Sequence, residues 1–383
     1  MLPESRIHIA LRTSAGRVAA VEVRSTRMVE AAGRFAGRRP DEVLAILPLV
    51  FSLCGTAQAL AAVAAVEDAA GIVPSRPQIA ARRLLLLAET VSEHGLGIAR
   101  DWPALVGEAA DLGGAKTLKT AMAAIRPALY PAGDWAVPGG GGLVPDRFRV
   151  QDALADAGAA LVAMTGFRLC HAIDDSEAFA AVLAHPSTAP ARLLAGLGED
   201  AGFGAQPFEP MPAGGPADLN ARLAADADGG FLARPDMGGR VPETGPLARQ
   251  AMLPPVAALL ARHGTGVLPR LAARLADAAS ALREMATLVQ DLAETPPSPI
   301  RPAQGSGLGV VEAARGLLAH RIELEDGLVS RYQILAPTEW NFHPGGALAR
   351  GLAGAIADDR LEARARLLVH ALDPCVACTV AVD

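Results

Sequence analysis

The sequence predicts a mainly helical α+β fold, in which a small N-terminal β-hairpin packs on a bundle of long helices. Hydrophobic residues make up 51% of the chain but aromatic residues only 4%, so Ala, Leu and Val must fill the core. Such small and aliphatic side chains favour close-packed helices over a sheet-rich interior. The first residues nevertheless alternate as strands do, and helical periodicity takes over after them. We interpret residues 1–383 as one large domain.

Residues 1–26 predict the β-hairpin. Ile7, Ile9 and Leu11 alternate with more polar neighbours, and the same alternation returns around Val21 and Val23. Between the two runs, Ser14-Ala15-Gly16 has the composition of a tight turn.

Two stretches, 40–130 and 247–295, predict the helical core. Within the first, the apolar spacing from Gln78 to His94 indicates a helix that follows a proline suited to a first turn. Within the second, apolar residues from Pro269 to Leu292 recur at intervals of three, four and seven. At 1.5 Å per residue this helix would be roughly 36 Å long, enough to span a domain.

A Gly/Pro-rich segment, 208–246, separates these stretches. Its portion from Pro212 to Pro246 contains seven glycines and five prolines, which predicts a long irregular loop. A second proline cluster ends the 269–292 helix, and a C-terminal segment, 308–383, follows it.

Charge and targeting signals exclude several classes of function. The net charge is −6 and no long basic run occurs, so we expect no nucleic-acid partner. Four cysteines do not make a disulfide scaffold, which favours a reducing compartment. The first residues lack a basic region followed by an apolar stretch, so we expect a cytoplasmic protein without a secretory signal.

One uncharged segment is long enough to cross a bilayer. Val43 to Val66 comprises 24 residues without a formal charge, but Pro48 and Cys54 lie inside it and charged residues follow at once. We interpret it as two helical pieces that meet in a protein core around Cys54, and we expect no membrane insertion.

A Cys-x-x-Cys motif, Cys375 and Cys378, is the strongest chemical signal. Two thiolates at this spacing prefer a soft metal ion such as iron, nickel, copper(I) or zinc. A thioredoxin-type redox pair needs a helix that starts at the motif, whereas residues 379–383 look extended. A structural zinc site usually takes four protein ligands, and no second such motif occurs. Two buried thiols without a metal, or a metal site completed elsewhere in the chain, remain open.

The order of several short motifs resembles the large subunit of nickel-iron hydrogenases. The resemblance covers both ends of the chain well and the middle, from about 100 to 240, poorly. The motifs that carry it are Gly16-Arg17-Val18, Gly37-Arg38-Arg39-Pro40, Cys54-Gly55, Ala59-Leu60-Ala61-Ala62-Val63 with Glu67, Glu243-Thr244-Gly245-Pro246-Leu247-Ala248-Arg249, Glu312 to His320, Gly327-Leu328-Val329 with Tyr332, Pro337-Thr338-Glu339-Trp340-Asn341 and Asp373 to Cys378.

Three departures set the chain apart from catalytic large subunits. The N-terminal motif keeps one thiol, Cys54, where the family has two, so four thiolates cannot surround nickel and iron. His8 stands in the motif that carries the family's proton-relay glutamate, and Ala381 replaces a histidine near the end. The loss of that histidine also removes a family-type magnesium site, although Glu30 matches one of its carboxylates. We expect no processed tail after Asp383.

These departures resemble the HupK/HoxV type of hydrogenase accessory protein. The resemblance implies a non-catalytic scaffold that transiently carries iron with cyanide and carbonyl ligands, without nickel. Its implied metal ligands are Cys54, Cys375 and Cys378. Arg315 and Thr338 would donate hydrogen bonds to the cyanides, and Arg249 is a further candidate contact. The implied partners are hydrogenase maturation proteins and the large-subunit precursor.

Other interpretations remain open at this point. The chain could be a divergent large subunit with residual oxidoreductase activity, or a metal-free paralogue that binds maturation partners. Cys54 alone is also typical of a small buried hydrophobic residue. Arg249 and Arg315 could pair with surface acids, and Cys170-His171 is more typical of local packing than of chelation.

Overall fold

The strands form two small sheets. The computed structural model describes residues 5–27, 29–51, 53–167, 173–212, 215–299 and 304–383. Within these ranges the strands are β1 (Arg6–Ser14), β2 (Arg17–Ser25), β3 (Gly305–Ala313), β4 (Gly316–Glu325), β5 (Leu328–Leu335) and β6 (Ala377–Val382).

Helices account for most of the remaining described chain. They are α1 (Pro40–Val50), α2 (Gly55–Ala70), α3 (Arg76–Leu105), α4 (Leu112–Leu129), α5 (Arg147–Thr165), α6 (Ser176–Ala184), α7 (Ala189–Gly196), α8 (Gly215–Ala225), α9 (Gly230–Ala233), α10 (Pro246–Gln250), α11 (Pro254–His263), α12 (Val267–Leu288), α13 (Pro337–Asn341), α14 (Ala347–Leu352) and α15 (Leu361–Leu372). Short 3-10 helices span Val29–Phe35, Gly198–Gly202 and Val289–Asp291.

The N-terminal hairpin is confirmed, and the end of the chain joins it. β1 pairs antiparallel with β2 through a turn in which Ala15 and Gly16 both have positive φ, as a two-residue hairpin turn of type I′ requires. β6 then lies parallel to β1 on its other side, in the order β2-β1-β6. The alternating residues Ile7, Ile9 and Leu11 are fully buried under this sheet. The extended chain expected after Cys378 is thus a strand.

The second sheet, a meander in the order β3-β4-β5, packs against α2. Gly307 and Gly309 on β3 allow the contact. A Cβ atom on Gly309 would lie 1.9 Å from the carbonyl oxygen of Ala61, and one on Gly307 would lie 2.1 Å from that of Ala65. The backbones of strand and helix therefore approach more closely than side chains would permit.

Both helices predicted from periodicity are confirmed, and the first is longer than the periodicity indicated. The helix predicted for 78–94 is part of α3, which is about 45 Å long. The helix predicted for 269–292 is α12 followed by a 3-10 turn. The uncharged segment 43–66 lies in α1 and α2, which end and begin on either side of Cys54. Within the described residues, no helix combines the length and hydrophobicity needed to cross a membrane.

The prediction of an irregular loop over 208–246 is wrong in part. α8 and α9 lie inside it, and Leu219 and Leu223 pack with Leu232 and Trp340 in a second hydrophobic cluster. The two leucines are four residues apart, so they share one helical face. Burial of that face stabilises helices that the glycine and proline content argued against.

The contact of β3 with α2 gives a test of the fold. We expect Gly309→Ala to lower the free energy of unfolding by about 1–3 kcal/mol or more, because the new methyl group meets the backbone of α2. Gly158→Ala on α5 is the matched control, since nothing lies within 4 Å of its added Cβ, and it should be neutral or stabilising. Urea unfolding followed by circular dichroism measures both. Equal stability of the two variants would contradict the close packing.

Candidate functional site

Cys54 occupies the N-terminal end of α2. Its own side chain does not cap the helix. Instead, Glu89 of α3 accepts hydrogen bonds from the backbone amides of Thr56 and Ala57, at 2.6 and 3.0 Å. A carboxylate at a helix N-terminus satisfies unpaired donors and complements the helix dipole. Cys54 is therefore held half-buried by a neighbouring helix, with its sulfur left for other contacts.

Cys375 and Cys378 lie where the chain passes from α15 into β6. Asp373 has a φ of +51°, in the left-handed region, and Pro374 follows it, so the chain turns sharply after the helix. Cys378 then pairs in register with Ile7 of β1. The motif thus begins in a turn and ends in a strand, and both thiols are half-buried.

Cys375 is the thiol that interacts with each of the other two. Burial, with a contribution from the nearby Cys375, raises the pKa of Cys54 to about 12. Burial and Cys375 likewise raise the pKa of Cys378 to about 12. Cys375 thus lies close enough to both thiols to influence their ionisation. Over the described ranges, however, no three His, Cys, Asp or Glu side chains are already arranged as a metal-binding group.

Two polar side chains contact the sulfur of Cys375. Thr338, at the start of α13, places its hydroxyl 3.0 Å from Sγ. Arg27, just after β2, places Nη1 2.6 Å from Sγ and pairs through Nε with Glu339 at 2.8 Å. Burial opposes the charge of Arg27, but the neighbouring Glu339 and Cys375 outweigh it and raise its pKa. The resemblance pointed to Thr338, whereas sequence reasoning missed Arg27.

Arg315 reaches the same site from the turn between β3 and β4. Its guanidinium pairs with Glu93 at 3.0 Å and with Asp373 at 3.3 Å. The side chains of both acids are themselves only 14% and 21% exposed, so Arg315 does not pair with surface acids. Burial lowers its pKa, but Asp373 and Glu93 together raise it above the ordinary value. Arg315 is therefore a buried permanent cation beside the thiols.

Arg249 lies behind this turn and does not line the cavities that contain Cys375. It forms a two-pronged ion pair with Asp277 and donates hydrogen bonds to the carbonyls of Ala313 and Ala314. These are the two residues before Arg315, so Arg249 supports the turn that carries Arg315. A direct contact of Arg249 with a cofactor stays a prediction. Cys170-His171 lies outside the described residues.

A buried row of hydrogen bonds runs behind Cys54. Nε2 of Gln58 donates to the sulfur at 3.7 Å, and Oε1 of Gln58 lies 2.8 Å from Nε2 of His320. Nδ1 of His320 lies 2.8 Å from the hydroxyl of Tyr332. Burial lowers the pKa of His320 to about 3, so the ring is neutral. The three side chains come from α2, β4 and β5.

Three cavities share Cys375 as a lining residue. The smallest, about 40 Å³, is lined by Cys54, Cys375, Thr338 and both guanidinium side chains, Arg27 and Arg315. A cavity of about 320 Å³ reaches Cys54 and Cys375. A third, of about 700 Å³, reaches Cys375 and Cys378. The arrangement offers thiolates to a soft metal and N–H donors to anionic groups bound on that metal.

Comparison with known proteins decides the family. Residues 230–381 match the family described as nickel-dependent hydrogenase. The hydrogenase expression/formation protein HupK of Rhizobium leguminosarum bv. viciae is 32% identical, over all of this chain and 98% of the relative. The chain belongs to the HupK/HoxV family of hydrogenase expression/formation proteins. HoxV of Cupriavidus necator is 31% identical, over 91% of this chain and 90% of the relative.

Solved hydrogenases share the fold. The Ni-Fe-Se hydrogenase of D. vulgaris Hildenborough superposes with a TM-score of 0.67 at 17% identity, over 94% of both chains. An NAD+-reducing [NiFe]-hydrogenase gives a TM-score of 0.67 at 18% identity, over 94% of this chain and 93% of that chain. The predicted large-subunit-like architecture is thereby confirmed.

The buried His320 predicts how stability depends on pH. Its folded pKa of about 3 lies below the ~6.5 of an unfolded histidine. The stability of the fold is therefore undiminished by this group above pH ~6.5 and declines as the pH falls towards about 3. Between pH 7 and pH 5, we expect the free energy of unfolding to fall by roughly 2 kcal/mol less in His320→Gln than in the original chain, because glutamine cannot be protonated in this range. Urea unfolding at both pH values measures this. The exposed His185→Gln is the control, and an unchanged pH dependence in His320→Gln would refute the prediction.

Proposed function

We propose that this chain is a non-catalytic accessory protein of nickel-iron hydrogenase maturation. It carries an iron with two cyanides and one carbonyl as cargo on Cys54, Cys375 and Cys378, and delivers it in the cytoplasm to the large-subunit precursor. The observation that supports this most is that Cys54 and Cys375, from opposite ends of the sequence, line one cavity together with Arg315 and Thr338. The names of the relatives, hydrogenase expression/formation proteins, support the accessory role.

The charges around the cavity suit such a cargo. Iron(II) with two cyanides and one carbonyl is formally neutral, so three thiolates would give the loaded site a charge of −3. A buried anion of this kind needs nearby cations and hydrogen-bond donors. Arg27 and Arg315 supply two guanidinium groups and Thr338 supplies a hydroxyl, while Glu93, which pairs with Arg315, lines the same cavity. The contacts of Arg315 to Glu93 and Asp373 use Nη1 and Nε, which leaves Nη2 for a cyanide ligand.

Positions that serve catalysis in the resembled enzymes are occupied by other residues here. His8, which stands in the motif of the proton-relay glutamate, lies on β1 and bonds the hydroxyl of Thr379 at 2.9 Å. Ala381, in place of the histidine, is an exposed position on β6 with no side-chain donor. With a single cysteine before α2, nickel would lack its set of four thiolates. These replacements support a carrier rather than an enzyme.

A metal-free binding role is the second candidate. It is favoured by one observation, that no ready metal-binding group occurs within the described ranges. Both candidates involve maturation proteins as partners, so only a test of the cargo separates them.

Infrared spectroscopy tests the cargo directly. We expect protein purified without oxygen, after co-production with the hydrogenase maturation proteins, to show cyanide and carbonyl stretching bands. In Cys54→Ala these bands should disappear or lose most of their intensity, because the iron loses a thiolate ligand. Cys170→Ser, a change at the cysteine outside the proposed ligand set, is the control and should keep them. Absence of the bands from well-loaded original protein would refute the cargo proposal.

Hydrogenase formation in cells tests the accessory role. We expect Cys375→Ser to lower hydrogenase activity at least about tenfold, since even the loss of an outer-shell partner commonly costs that much in metal affinity. The measurement is hydrogen uptake in a strain that carries only the variant, with variant abundance checked by immunoblot. Cys170→Ser again serves as the control. Normal hydrogenase activity in Cys375→Ser would favour the metal-free role.

A further inference from the structure

Gln58 is placed to act on the sulfur of Cys54. It follows Cys54 by four residues at the start of α2, and long helical side chains point back towards the N-terminus, so the amide faces the cysteine. Gln58 is only 2% exposed, and its Nε2 lies 3.7 Å from Sγ of Cys54. The amide is therefore a buried donor directed at a proposed iron ligand.

In the structure the oxygen of the Gln58 amide faces His320 and its nitrogen faces the sulfur of Cys54. His320 is neutral and carries one ring hydrogen, and its Nε2 lies 2.8 Å from Oε1 of Gln58. That ring nitrogen must therefore donate, because the amide oxygen can only accept. Nδ1 of His320 then accepts from the hydroxyl of Tyr332 at 2.8 Å. Each donor in the row has one acceptor, and the last donor is the N–H of Gln58.

The far end of the row is held by packing. The ring of Tyr332 contacts Phe35 edge-on, with centroids 5.4 Å apart, and also contacts His320 edge-on at 5.6 Å. Tyr332 and His320 are 3% and 0% exposed, so water does not compete for their hydrogen bonds. A reversed amide would turn its oxygen to the sulfur and leave two acceptors, Oε1 and Sγ, facing each other once the sulfur binds metal.

We propose that Gln58 is a positioning residue that tunes the sulfur of Cys54, and that His320 and Tyr332 set the direction of its amide. This inference rests on the proposed function. A hydrogen bond donated to a metal-bound sulfur withdraws electron density from it, so it weakens the bond between sulfur and iron. The iron then donates less density to its carbonyl ligand. A row of this kind makes Cys54 a ligand that can be given up, as delivery of a cargo requires.

Carbonyl stretching frequencies test the proposal. The probe is the protein loaded by co-production with the maturation proteins, and the variant is Gln58→Met, which keeps length and volume but has no N–H. We expect its carbonyl band to move to lower frequency than in the original chain. We also expect loss of the band, on addition of excess competing thiol, to slow about fivefold, the factor that corresponds to one typical net hydrogen bond.

Gln78→Met is the matched control. Gln78 is also a buried glutamine, which accepts from the hydroxyl of Tyr130 and donates to the carbonyl of Gly141, but it does not line the cavities that contain Cys54. Its replacement removes comparable hydrogen bonds, so a merely structural effect would appear in both variants. We expect the carbonyl band of Gln78→Met to stay at the original frequency.

If Gln58→Met does not bind the iron unit, a second variant tests the role of Gln58. Tyr332→Phe removes only the hydroxyl at the far end of the row, and we expect a smaller shift of the carbonyl band in the same direction. Bands that are present in the original chain and unmoved in the loaded variants would overturn the role of Gln58 while leaving the proposed function intact. Absence of any band in the original chain would instead overturn the proposed function, and this inference with it.

Discussion

The parallel pairing of β6 with β1 is the constraint on which the site depends. Six residue pairs, from Arg6 with Ala377 to Leu11 with Val382, align the last strand with the first. Parallel neighbours cannot be joined by a tight turn, so the chain between them must form a long connection that returns to the same sheet. Because Cys378 belongs to β6 and Cys375 lies just before it, this pairing places Cys375 in a cavity with Cys54 and holds Cys378 close to Cys375. The cavity is therefore a product of the completed fold.

Buried charge is the second constraint on the site. Arg27 pairs with Glu339, and Arg315 pairs with Glu93 and Asp373, all in largely buried surroundings. Removing one partner from such a set leaves an uncompensated charge in a low dielectric, which is strongly destabilising. The carboxylates thus keep two guanidinium groups beside the thiols. An anionic cargo would meet two guanidinium groups that these carboxylates already hold in place.

Sequence reasoning found what local patterns encode. The hairpin and the long helices follow from periodicity. The division of the uncharged segment into α1 and α2 follows from Pro48 and Cys54, which lie inside it. The second sheet was not predicted, although Asp326-Gly327, flanked by alternating apolar residues, is a strong hairpin signal. The convergence of Cys54 with Cys375 came from the resemblance, because no spacing rule links residues so far apart. Arg27 had no local signature, since an isolated buried arginine is recognisable only by its partners.

The aromatic-poor composition connects the core to the site. α2 is rich in alanine, and Gly307 and Gly309 let β3 lie against it with almost no side chain between. β3 ends at Ala313, so the turn that follows brings Arg315 beside the N-terminal end of α2, where Cys54 lies. Larger side chains in this contact would move the turn, and Arg315 with it, away from the thiols. Small residues in the core thus place the cation of Arg315 next to Cys54. The same composition that indicates helix packing therefore also determines the geometry of the cavity.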